Sequence, residues 1–484
     1  MPDVPITFAQ RFIYEVIEKL GPQASALQVF ASVRIKGPID IERFQLAAEV
    51  LAERIPILHA VLEVKQGRPI QRLGTSGPVF QVIEKIAADD RLASSILSKV
   101  ADDPINVFTG SPLRIVILTT GPDQAFLLFV GHHLFLDATA LSMSLGVYLK
   151  IYADIAERGR PIITGTHGYP DFFEYAVDEQ KLLLDGTYDK RSEFWLRELE
   201  NGDPELHLKG RGSDPEMVSS ASMPFQIKEE LITAIRKRAV AAGISIFAIL
   251  TNSILYTLWE FVDQENLALS VVSDTRTPPF DRSVGQFADI FVVCQSKYDR
   301  GLDARATQLL ADKLLGVIVN RVPVAYFRND IPWLLERASN GKTYSDVFVN
   351  YLNYLPVSAK AGEPSKIAGC EVSQFPLLDR NIDANVRFHG KVLGFTSLPA
   401  APGNRALLGT IEYDSGVIKH GAARAIKDLW MDNLDQLALQ SVLSNVTVRY
   451  RLGRDHRLLR ATLVAFRSSP GPVGRGIRDK TLQI

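Results

Sequence analysis

The chain has 484 residues, 46% of them hydrophobic and 23% charged, a composition typical of a soluble globular protein long enough for two lobes of roughly 200 residues each. The formal net charge of −1 excludes an overall bias toward nucleic acid. The two cysteines, Cys294 and Cys370, are far apart and in no metal or redox spacing, which argues against a disulfide scaffold and fits a reducing compartment.

The first residues lack a basic segment followed by an apolar run, so we expect no secretory signal and a cytoplasmic location. The stretch nearest to a membrane span, residues 244–261, is interrupted by Thr251, Asn252, Ser253 and Thr257. These polar side chains indicate a core helix, so we expect no membrane span.

The first half of the chain carries clear helix and strand signals. Apolar residues recur at helical spacing over residues 41–55, and Pro56 follows where that helix should end. Two short apolar runs, residues 113–119 and 125–130, predict a hairpin of core strands. Helical spacing returns over residues 138–157, so a strand, a sharp connection and a helix follow one another. That arrangement favours a catalytic loop.

The second half repeats the alternation of helices and strands. A polar, glycine-containing stretch over residues 201–222 is the predicted boundary between two lobes. The elements predicted around it are helices over 178–199, 228–242, 246–261 and 422–443 and strands over 267–272 and 290–294. Beyond residue 464 the chain is rich in Gly, Pro and Ser and is expected to be flexible. The pattern predicts two α/β lobes.

The residues that carry chemistry are those of one short motif, Gly131-His132-His133-Leu134-Phe135-Leu136-Asp137-Ala138. Histidine is suited to accepting a proton near neutral pH because its unperturbed pKa is about 6.5. Attack of an amine or hydroxyl on a thioester requires such a proton transfer. An acidic residue four positions on would orient the imidazole or brace the loop. Taken alone, the motif also fits a hydrogen-bonded polar turn, or a metal site that lacks an obvious further ligand.

The motif resembles the His-His-x-x-x-Asp-Gly signature of the condensation domains of nonribosomal peptide synthetases and related acyltransferases. Further segments resemble other elements of that family in the same order, from about Ile6 to Gln440. They are 7–12, 103–114, Tyr169-Pro170-Asp171-Phe172, Phe194-Trp195, Val284-Gly285-Gln286-Phe287-Ala288-Asp289, Asp330-Ile331-Pro332-Trp333 and Glu412-Tyr413. The fifth of these segments is similar to the family's Ile-Gly-x-Phe-Val-Asn.

The resemblance implies an α/β fold, of the α+β sandwich kind, with two chloramphenicol-acetyltransferase-like lobes in a V-shaped pseudo-dimer. Residues 1–178 would form the N-terminal lobe with the active-site loop, 179–222 the inter-lobe helix and linker, and 223–440 the C-terminal lobe. Residues 441–484 would be a basic tail, partly flexible.

The activity implied is that of a stand-alone condensation-type acyltransferase. It would form an amide or ester between a carrier-protein-bound acyl thioester and an amine or alcohol, in secondary-metabolite or lipopeptide biosynthesis. Two alternatives stay open: an O-acyltransferase of the polyketide-associated or wax-ester type, and a non-catalytic relative that binds a carrier protein. The implied partners are an acyl or peptidyl carrier protein as donor, and either a second carrier or a free small molecule as acceptor. We expect a monomer.

Residue roles also follow from the resemblance. His133 would be the catalytic histidine and His132 structural. Asp137 would face away from the substrate and form a bidentate pair with Arg276, for which Arg282 is the weaker substitute. Ala138, which replaces the family's glycine, and Gly285 would line the substrate tunnel. No metal and no tightly bound cofactor are implied, because the substrates arrive on phosphopantetheine arms.

Three departures indicate a divergent member. Besides Ala138, the family's Arg-His-Glu-x-Leu-Arg appears here as Arg54-Ile55-Pro56-Ile57-Leu58-His59, which loses two polar groups. Ala288-Asp289 replaces Val-Asn. Cys294 lies in an apolar strand pattern and is interpreted as a core residue, as are the four tryptophans.

Residues 441–484 carry nine Lys or Arg against two Asp. Five of these cations recur at near-regular spacing: Arg449, Arg451, Arg454, Arg457 and Arg460. They form either a solvated face or a docking surface for an acidic carrier protein. Nucleic acid is disfavoured as a partner because no aromatic residues interleave with the charge.

Overall fold

The structure of the chain is a computed structural model. It describes residues 3–21, 27–85, 89–161, 170–209, 220–340, 342–352, 365–375, 377, 391–401, 404–439, 447–452 and 461–466. Tyr169, Arg454, Arg457, Arg460 and the stretch predicted to be flexible beyond Phe466 lie outside these residues.

The helices of the described residues are distributed along the whole chain. They are α1 (Phe8–Leu20), α2 (Ile41–Arg54), α3 (Asp90–Asp102), α4 (Ala138–Arg158), α5 (Phe172–Leu184), α6 (Thr187–Leu199), α7 (Glu229–Ala242), α8 (Ile246–Leu258), α9 (Ala304–Val319), α10 (Val324–Phe327), α11 (Pro332–Ser339) and α12 (His420–Leu439).

The strands lie between them. They are β1 (Val4–Pro5), β2 (Gln28–Lys36), β3 (Ala60–Lys65), β4 (Arg68–Leu73), β5 (Val79–Glu84), β6 (Leu113–Gly121), β7 (Gln124–His132), β8 (Ser220–Ile227), β9 (Asn266–Asp274), β10 (Ala288–Ser296), β11 (Val347–Tyr351), β12 (Ser365–Ile367), β13 (Cys370–Gln374), β14 (Leu393–Ala401), β15 (Asn404–Asp414), β16 (Thr447–Leu452) and β17 (Ala461–Phe466).

A six-stranded sheet in the order β12-β13-β2-β7-β6-β5 carries the motif strand near its centre. The predicted hairpin is confirmed, since β6 and β7 pair antiparallel with Leu113 opposite Gly131. β7 is buried along almost its whole length because its apolar side chains on both faces are covered. Helices α2 and α4 contact each other on this lobe, and Phe44 of α2 stacks on Tyr152 of α4 at 4.0 Å between ring centroids.

A second six-stranded sheet has the order β10-β9-β11-β14-β15-β8. Hydrogen bonds made by helix α8 account for three of the four polar residues that interrupt the apolar stretch around residue 250. Thr257 Oγ1 accepts from Asn433 Nδ2 at 2.9 Å, Ser253 Oγ accepts from Trp430 Nε1 at 2.8 Å, and Asn252 Nδ2 donates to the Gly301 carbonyl at 2.8 Å. These groups are therefore hydrogen-bonded within the core, as the core-helix prediction requires.

The lengths and hydropathies of the described helices bear on whether they could span a membrane. None of them is long and apolar enough by itself to cross a membrane, although α7 and α8, bent by 110°, meet the length and composition criteria as a pair.

The two sheets do not follow the predicted lobe boundaries throughout. β12 and β13 come from the second half of the chain but extend the first sheet, where β13 pairs antiparallel with β2. Ser32 of β2 donates its hydroxyl to the Phe375 carbonyl at 2.5 Å, and the Phe375 ring lies 4.5 Å from that of Phe126. The second sheet also begins at Ser220, before the predicted start at 223. The crossing covers the otherwise exposed edge of β2.

The predicted helix over residues 178–199 is two helices. α5 ends at Leu184 and α6 begins at Thr187, and Gly186 between them has a φ of 73°, which ends the α-helical path. The Asp185 carboxylate accepts from the Thr187 amide at 2.9 Å, so the turn is stabilised locally. The periodic apolar pattern continues across the break, which is why it suggested a single helix.

Other predicted elements are confirmed, and Trp195, Trp259 and Trp430 are core residues as predicted, whereas Trp333 is half-buried. The helix predicted over 41–55 is α2, and Pro56 begins a 3₁₀ turn directly after Ile55. The predictions for residues 138–157, 228–242 and 290–294 agree with α4, α7 and β10 within a few residues at each end. Cys294 is buried in the second core, and burial raises the pKa of its thiol to about 12. Within the basic tail, β16 and β17 pair as an antiparallel hairpin.

The pairing of β13 with β2 in the first sheet can be tested by mutation. Phe375→Ala should lower the stability of the first sheet by about 3–5 kcal/mol, because it empties a buried aromatic site on Phe126. Hydrogen exchange should quicken in β2 and β7 although the altered residue comes from the second half of the chain. Val79→Ala, at an exposed position on the opposite edge strand β5, is the control and should change little. Faster exchange confined to the second sheet would contradict the crossing.

Candidate active site

The histidine motif forms the connection between β7 and α4. β7 ends at His132, whose amide donates to the Pro112 carbonyl at 2.9 Å. The His133 amide donates to the Leu27 carbonyl at 2.7 Å, which ties the first loop residue to the chain just before β2. The loop backbone is therefore fixed by strands on both sides before any side chain contributes.

Helix α1 braces the middle of the loop. Thr7 and Gln10 form a capping box at the start of α1, with the Gln10 amide donating to Thr7 Oγ1 at 3.2 Å and the Thr7 amide donating to Gln10 Oε1 at 2.9 Å. Gln10 Nε2 then donates to the Leu134 carbonyl at 2.9 Å and to Gln71 Oε1 at 3.1 Å. Gln10 belongs to the first segment that resembles the family. Its hydrogen bond to the Leu134 carbonyl shows how that segment supports the histidine loop.

The end of the loop is held by the Asp137 carboxylate, which accepts four hydrogen bonds. Oδ1 accepts from the Ala140 amide at 2.6 Å, the N-cap bond of α4, and from Arg276 Nη2 at 2.9 Å. Oδ2 accepts from the amides of Phe287 and Ala288 at 2.9 and 3.0 Å. These four donors fill the lone-pair sites of a carboxylate, so Asp137 has no capacity left for substrate.

Arg276 spreads its guanidinium over several acceptors. Nε donates to the Ser283 carbonyl at 3.0 Å, Nη1 to Asp274 Oδ1 at 3.0 Å, and Nη2 to both Asp137 and the Gly285 carbonyl. The structure thus brings Arg276 to Asp137, but the expected bidentate pair is not formed. Asp137 Oδ2 is occupied by backbone amides, which leaves only Oδ1 for the guanidinium. Arg282, the alternative, is not the residue that pairs with Asp137.

His132 is buried and neutral. Burial, with a smaller effect from His133, lowers the pKa of His132 to about 3. Its Nδ1 accepts from the Leu134 amide at 3.1 Å, which places the proton on Nε2. Within the described part of the chain, Nε2 has no hydrogen-bond partner. These contacts fit a structural role for His132.

His133 is half-buried, and its ring is held by a residue from the other half of the chain. Nδ1 lies 2.9 Å from Gln286 Oε1. Gln286 stands within the Val284–Asp289 segment but was assigned no role from sequence. The sequence signal that could have indicated a role for Gln286 is a polar side chain between glycine and phenylalanine, directly before a buried strand.

The two predicted tunnel residues differ in their surroundings. Ala138 is the first residue of α4 and half-buried, so a helical backbone there does not require the family's glycine. Gly285 is buried, and a Cβ at this position would overlap the ring of Phe172. Its carbonyl accepts from the Asp137 amide at 3.4 Å as well as from Arg276.

Two buried acids near the site were also missed. Asp289, at the departure from the family's asparagine, accepts from the Ile290 amide at 2.8 Å, and burial raises its pKa to about 6. Glu179 of α5 accepts from the Phe8 amide at 2.9 Å, and burial raises its pKa to about 8. Among the described residues, no group of three His, Cys, Asp or Glu could hold a metal ion.

The sequence is similar to a known family and to several known proteins. The Condensation domain family model matches residues 2–302, more than half of the chain. Phosphinothricin tripeptide synthetase PhsC of Streptomyces viridochromogenes is 23% identical over 351 residues, covering 70% of this chain and 31% of that protein. Surfactin synthase subunit 1 of Bacillus subtilis is 23% identical over 292 residues, covering 59% of this chain and 8% of that protein. The chain thus spans less than a third of these relatives.

Solved structures show the same fold. The starter condensation domain of rhizomide synthetase RzmA has a TM-score of 0.72 at 15% identity, covering 90% of this chain and 95% of that one. SgcC5 of Streptomyces globisporus has a TM-score of 0.71 at 17% identity, covering 90% of this chain and 99% of that one. The first condensation domain of the CDA synthetase has a TM-score of 0.70 at 13% identity, with coverages of 91% and 97%. The predicted fold class is confirmed.

The contacts of Asp137 generate a stability test. Asp137→Ala should cost about 3–5 kcal/mol, because it removes the buried counter-charge of a guanidinium that is only 4% exposed and leaves three backbone amides without their acceptor. Arg276→Ala should cost less, since Asp137 keeps three amide donors. The double variant should be less damaged than the sum by about 1–3 kcal/mol. Melting temperature and denaturant midpoints measure all three.

Asp171→Ala is the matched control for that test. Asp171 caps α5 with the same φ and ψ as Asp137, −82° and 173°, and its carboxylate accepts from the Glu174 amide at 2.9 Å. Loss of this exposed cap should cost about 1 kcal/mol. Equal losses at Asp137 and Asp171 would mean that the Asp137 carboxylate acts only as a helix cap.

Gly285 generates a second test. Gly285→Ala should lower stability by about 1–3 kcal/mol, because the methyl group must displace Phe172 or the segment that Asp137 holds. Gly146→Ala on α4 is the control, since its added Cβ meets nothing within 4 Å. If the two alanine variants melt at the same temperature, the packing of Gly285 against Phe172 is not as described.

Proposed function

The chain belongs to the condensation domain family, and on that basis we propose that it is an acyltransferase of the condensation type. It would join an acyl group, carried as a thioester on the phosphopantetheine arm of a carrier protein, to an amine or an alcohol. The product would be an amide or an ester of secondary metabolism.

The observation that carries this proposal is the contrast between the two adjacent histidines. His132 is buried, neutral and bonded to the loop backbone. His133 is half-buried, and among the described residues its Nδ1 has a hydrogen-bond partner while its Nε2 has none. A histidine with one nitrogen anchored and the other available is the arrangement that proton transfer to or from a substrate requires.

The proposed chemistry uses this free nitrogen. As the acceptor's nitrogen or oxygen attacks the thioester carbonyl, His133 Nε2 takes its proton. The tetrahedral intermediate then expels the phosphopantetheine sulfur, the carbon–sulfur bond breaks, and the imidazolium returns the proton to the thiolate. Asp137 contributes by holding the loop, and Ala138 remains a candidate tunnel residue because it is half-buried at the end of the loop that carries His133. For Gly285, the contact with Phe172 supports a packing role.

The ligands in the solved relatives include an amine and an alcohol. The RzmA starter domain was solved with C8-CoA and Leu-SNAC, and SgcC5 with a naphthyl-substituted ethanediol. These ligands belong to those proteins. By analogy they support a thioester donor and do not favour one acceptor class for this chain.

The proposal is tested with carriers loaded with a panel of acyl chains, offered to a panel of amines and alcohols, with product mass as the readout. His133→Ala should lower turnover about a hundredfold or more while the protein stays folded. His207→Ala, at a surface site near Asp203, is the control and should retain full turnover. Undiminished turnover in His133→Ala would remove His133 from the mechanism. If no pair in the panel reacts while loaded carriers still bind, the non-catalytic alternative is favoured.

A further inference from the structure

We infer that Gln286 is a positioning residue that fixes His133 in the tautomer protonated at Nδ1, which leaves the electron pair of Nε2 free to accept the substrate's proton. The inference rests on the proposed function, because it refines the role proposed for His133. Family membership does not by itself predict this contact, since the pattern Ile-Gly-x-Phe-Val-Asn leaves the position of Gln286 unspecified.

The direction of each hydrogen bond follows from chemistry. Gln286 Nε2 lies 2.8 Å from the Ala288 carbonyl oxygen, which can only accept. The amide nitrogen must therefore face Ala288, and Oε1 must face His133 Nδ1 at 2.9 Å. An amide oxygen also can only accept, so Nδ1 carries the proton. In a neutral imidazole the other nitrogen, Nε2, then carries the lone pair.

Gln286 is itself rigidly placed. It is 1% exposed, so its side chain has little freedom to turn. The residues on both sides are bound to the histidine loop: the Gly285 carbonyl accepts from the Asp137 amide, and the amides of Phe287 and Ala288 donate to Asp137 Oδ2. The carboxylate that braces the loop therefore also fixes the distance between Gln286 and His133.

A competing explanation is that Gln286 is a core glutamine that satisfies its own hydrogen bonds without affecting catalysis. The two explanations differ in what happens when the acceptor is removed. A packing residue would leave the His133 tautomer and turnover unchanged, whereas a positioning residue would change both. The tautomer can be read without any substrate, from two-bond proton–nitrogen correlations of protein labelled with ¹⁵N-histidine.

The experiment compares the wild-type protein with Gln286→Met and Gln286→Glu, with the His133 signals assigned from their loss in His133→Ala. Wild-type His133 should show a protonated Nδ1 and an unprotonated Nε2. Gln286→Met keeps the side-chain length but removes the acceptor, so the single tautomer should be lost, and kcat should fall about ten- to a hundredfold with little change in KM. Gln286→Glu retains an acceptor, so the Nδ1-protonated form should persist.

Gln286→Glu adds a second readout. A carboxylate beside Nδ1 stabilises the imidazolium, so the acid limb of the kcat/KM profile should move to higher pH. The other titratable and charged groups of the site are His132, which stays neutral, the Asp137–Arg276 pair at the end of the loop, and the buried acids Asp289 and Glu179. All of them are present in the wild-type protein and in the variant, so the difference between the two profiles reports on position 286.

Gln295→Met is the matched control. Gln295 is a buried glutamine of β10, 2% exposed, and neither polar atom of its side chain has a hydrogen-bond partner among the described residues. Its replacement should leave the His133 spectrum and kcat unchanged. If Gln286→Met fails to fold, the wild-type spectrum and the Gln286→Glu variant still test whether Gln286 fixes the His133 tautomer.

The outcomes separate this inference from the proposed function. A wild-type His133 protonated at Nε2, or an unchanged tautomer and kcat in Gln286→Met, would overturn the role of Gln286 even if His133→Ala abolishes turnover. If the spectra follow the prediction but no acyl transfer is found, Gln286 fixes the tautomer and the proposed activity is wrong. Loss of the tautomer together with a lower kcat supports both.

Discussion

The arrangement of the site depends on one carboxylate whose hydrogen-bonding capacity is fully used inside the protein. Asp137 is 2% exposed and accepts from the start of its own helix, from Arg276 and from two backbone amides of a distant segment. Each contact compensates part of the cost of burying the charge, and removing any one leaves a buried polar group unsatisfied. The carboxylate thereby joins residues 137–140 to residues 285–288, which are separated by about 150 positions in sequence.

The hydrogen bonds of Asp137 explain how two loops that are distant in sequence form one candidate active site. The loop after β7 supplies His133, and the segment before β10 supplies Gln286. Burial of the Asp137–Arg276 pair at their meeting point, together with the bracing of Leu134 by Gln10, restricts both loops at once. Positioning of this kind accounts for a large share of what enzymes contribute to a reaction.

Much of the fold could be predicted from the sequence because local signals were strong. The apolar runs around β6 and β7 and the helical spacing of α2 and α4 are properties of neighbouring residues. The crossing of β12 and β13 into the first sheet could not be predicted, since strand pairing between distant segments leaves no local signature. The break at Gly186 was hidden because the apolar spacing continues across it. Gln286 was missed for a related reason: its function depends on a partner 153 residues away.

The structure explains one departure from the family pattern, the alanine at position 138. Ala138 sits in the first turn of a helix, where alanine is favourable, so the loop tolerates the loss of glycine without backbone strain.

In the proposed mechanism Asp137 braces the site from within and His133 contacts the reacting group of the substrate. A crystal structure with a non-hydrolysable acyl-phosphopantetheine analogue tests it most directly. We expect the acyl carbonyl to lie beside His133 Nε2, with Asp137 still bound to Arg276 and to its three backbone amides. An Asp137 carboxylate turned toward the analogue, or a His133 whose Nε2 points away from it, would contradict this mechanism.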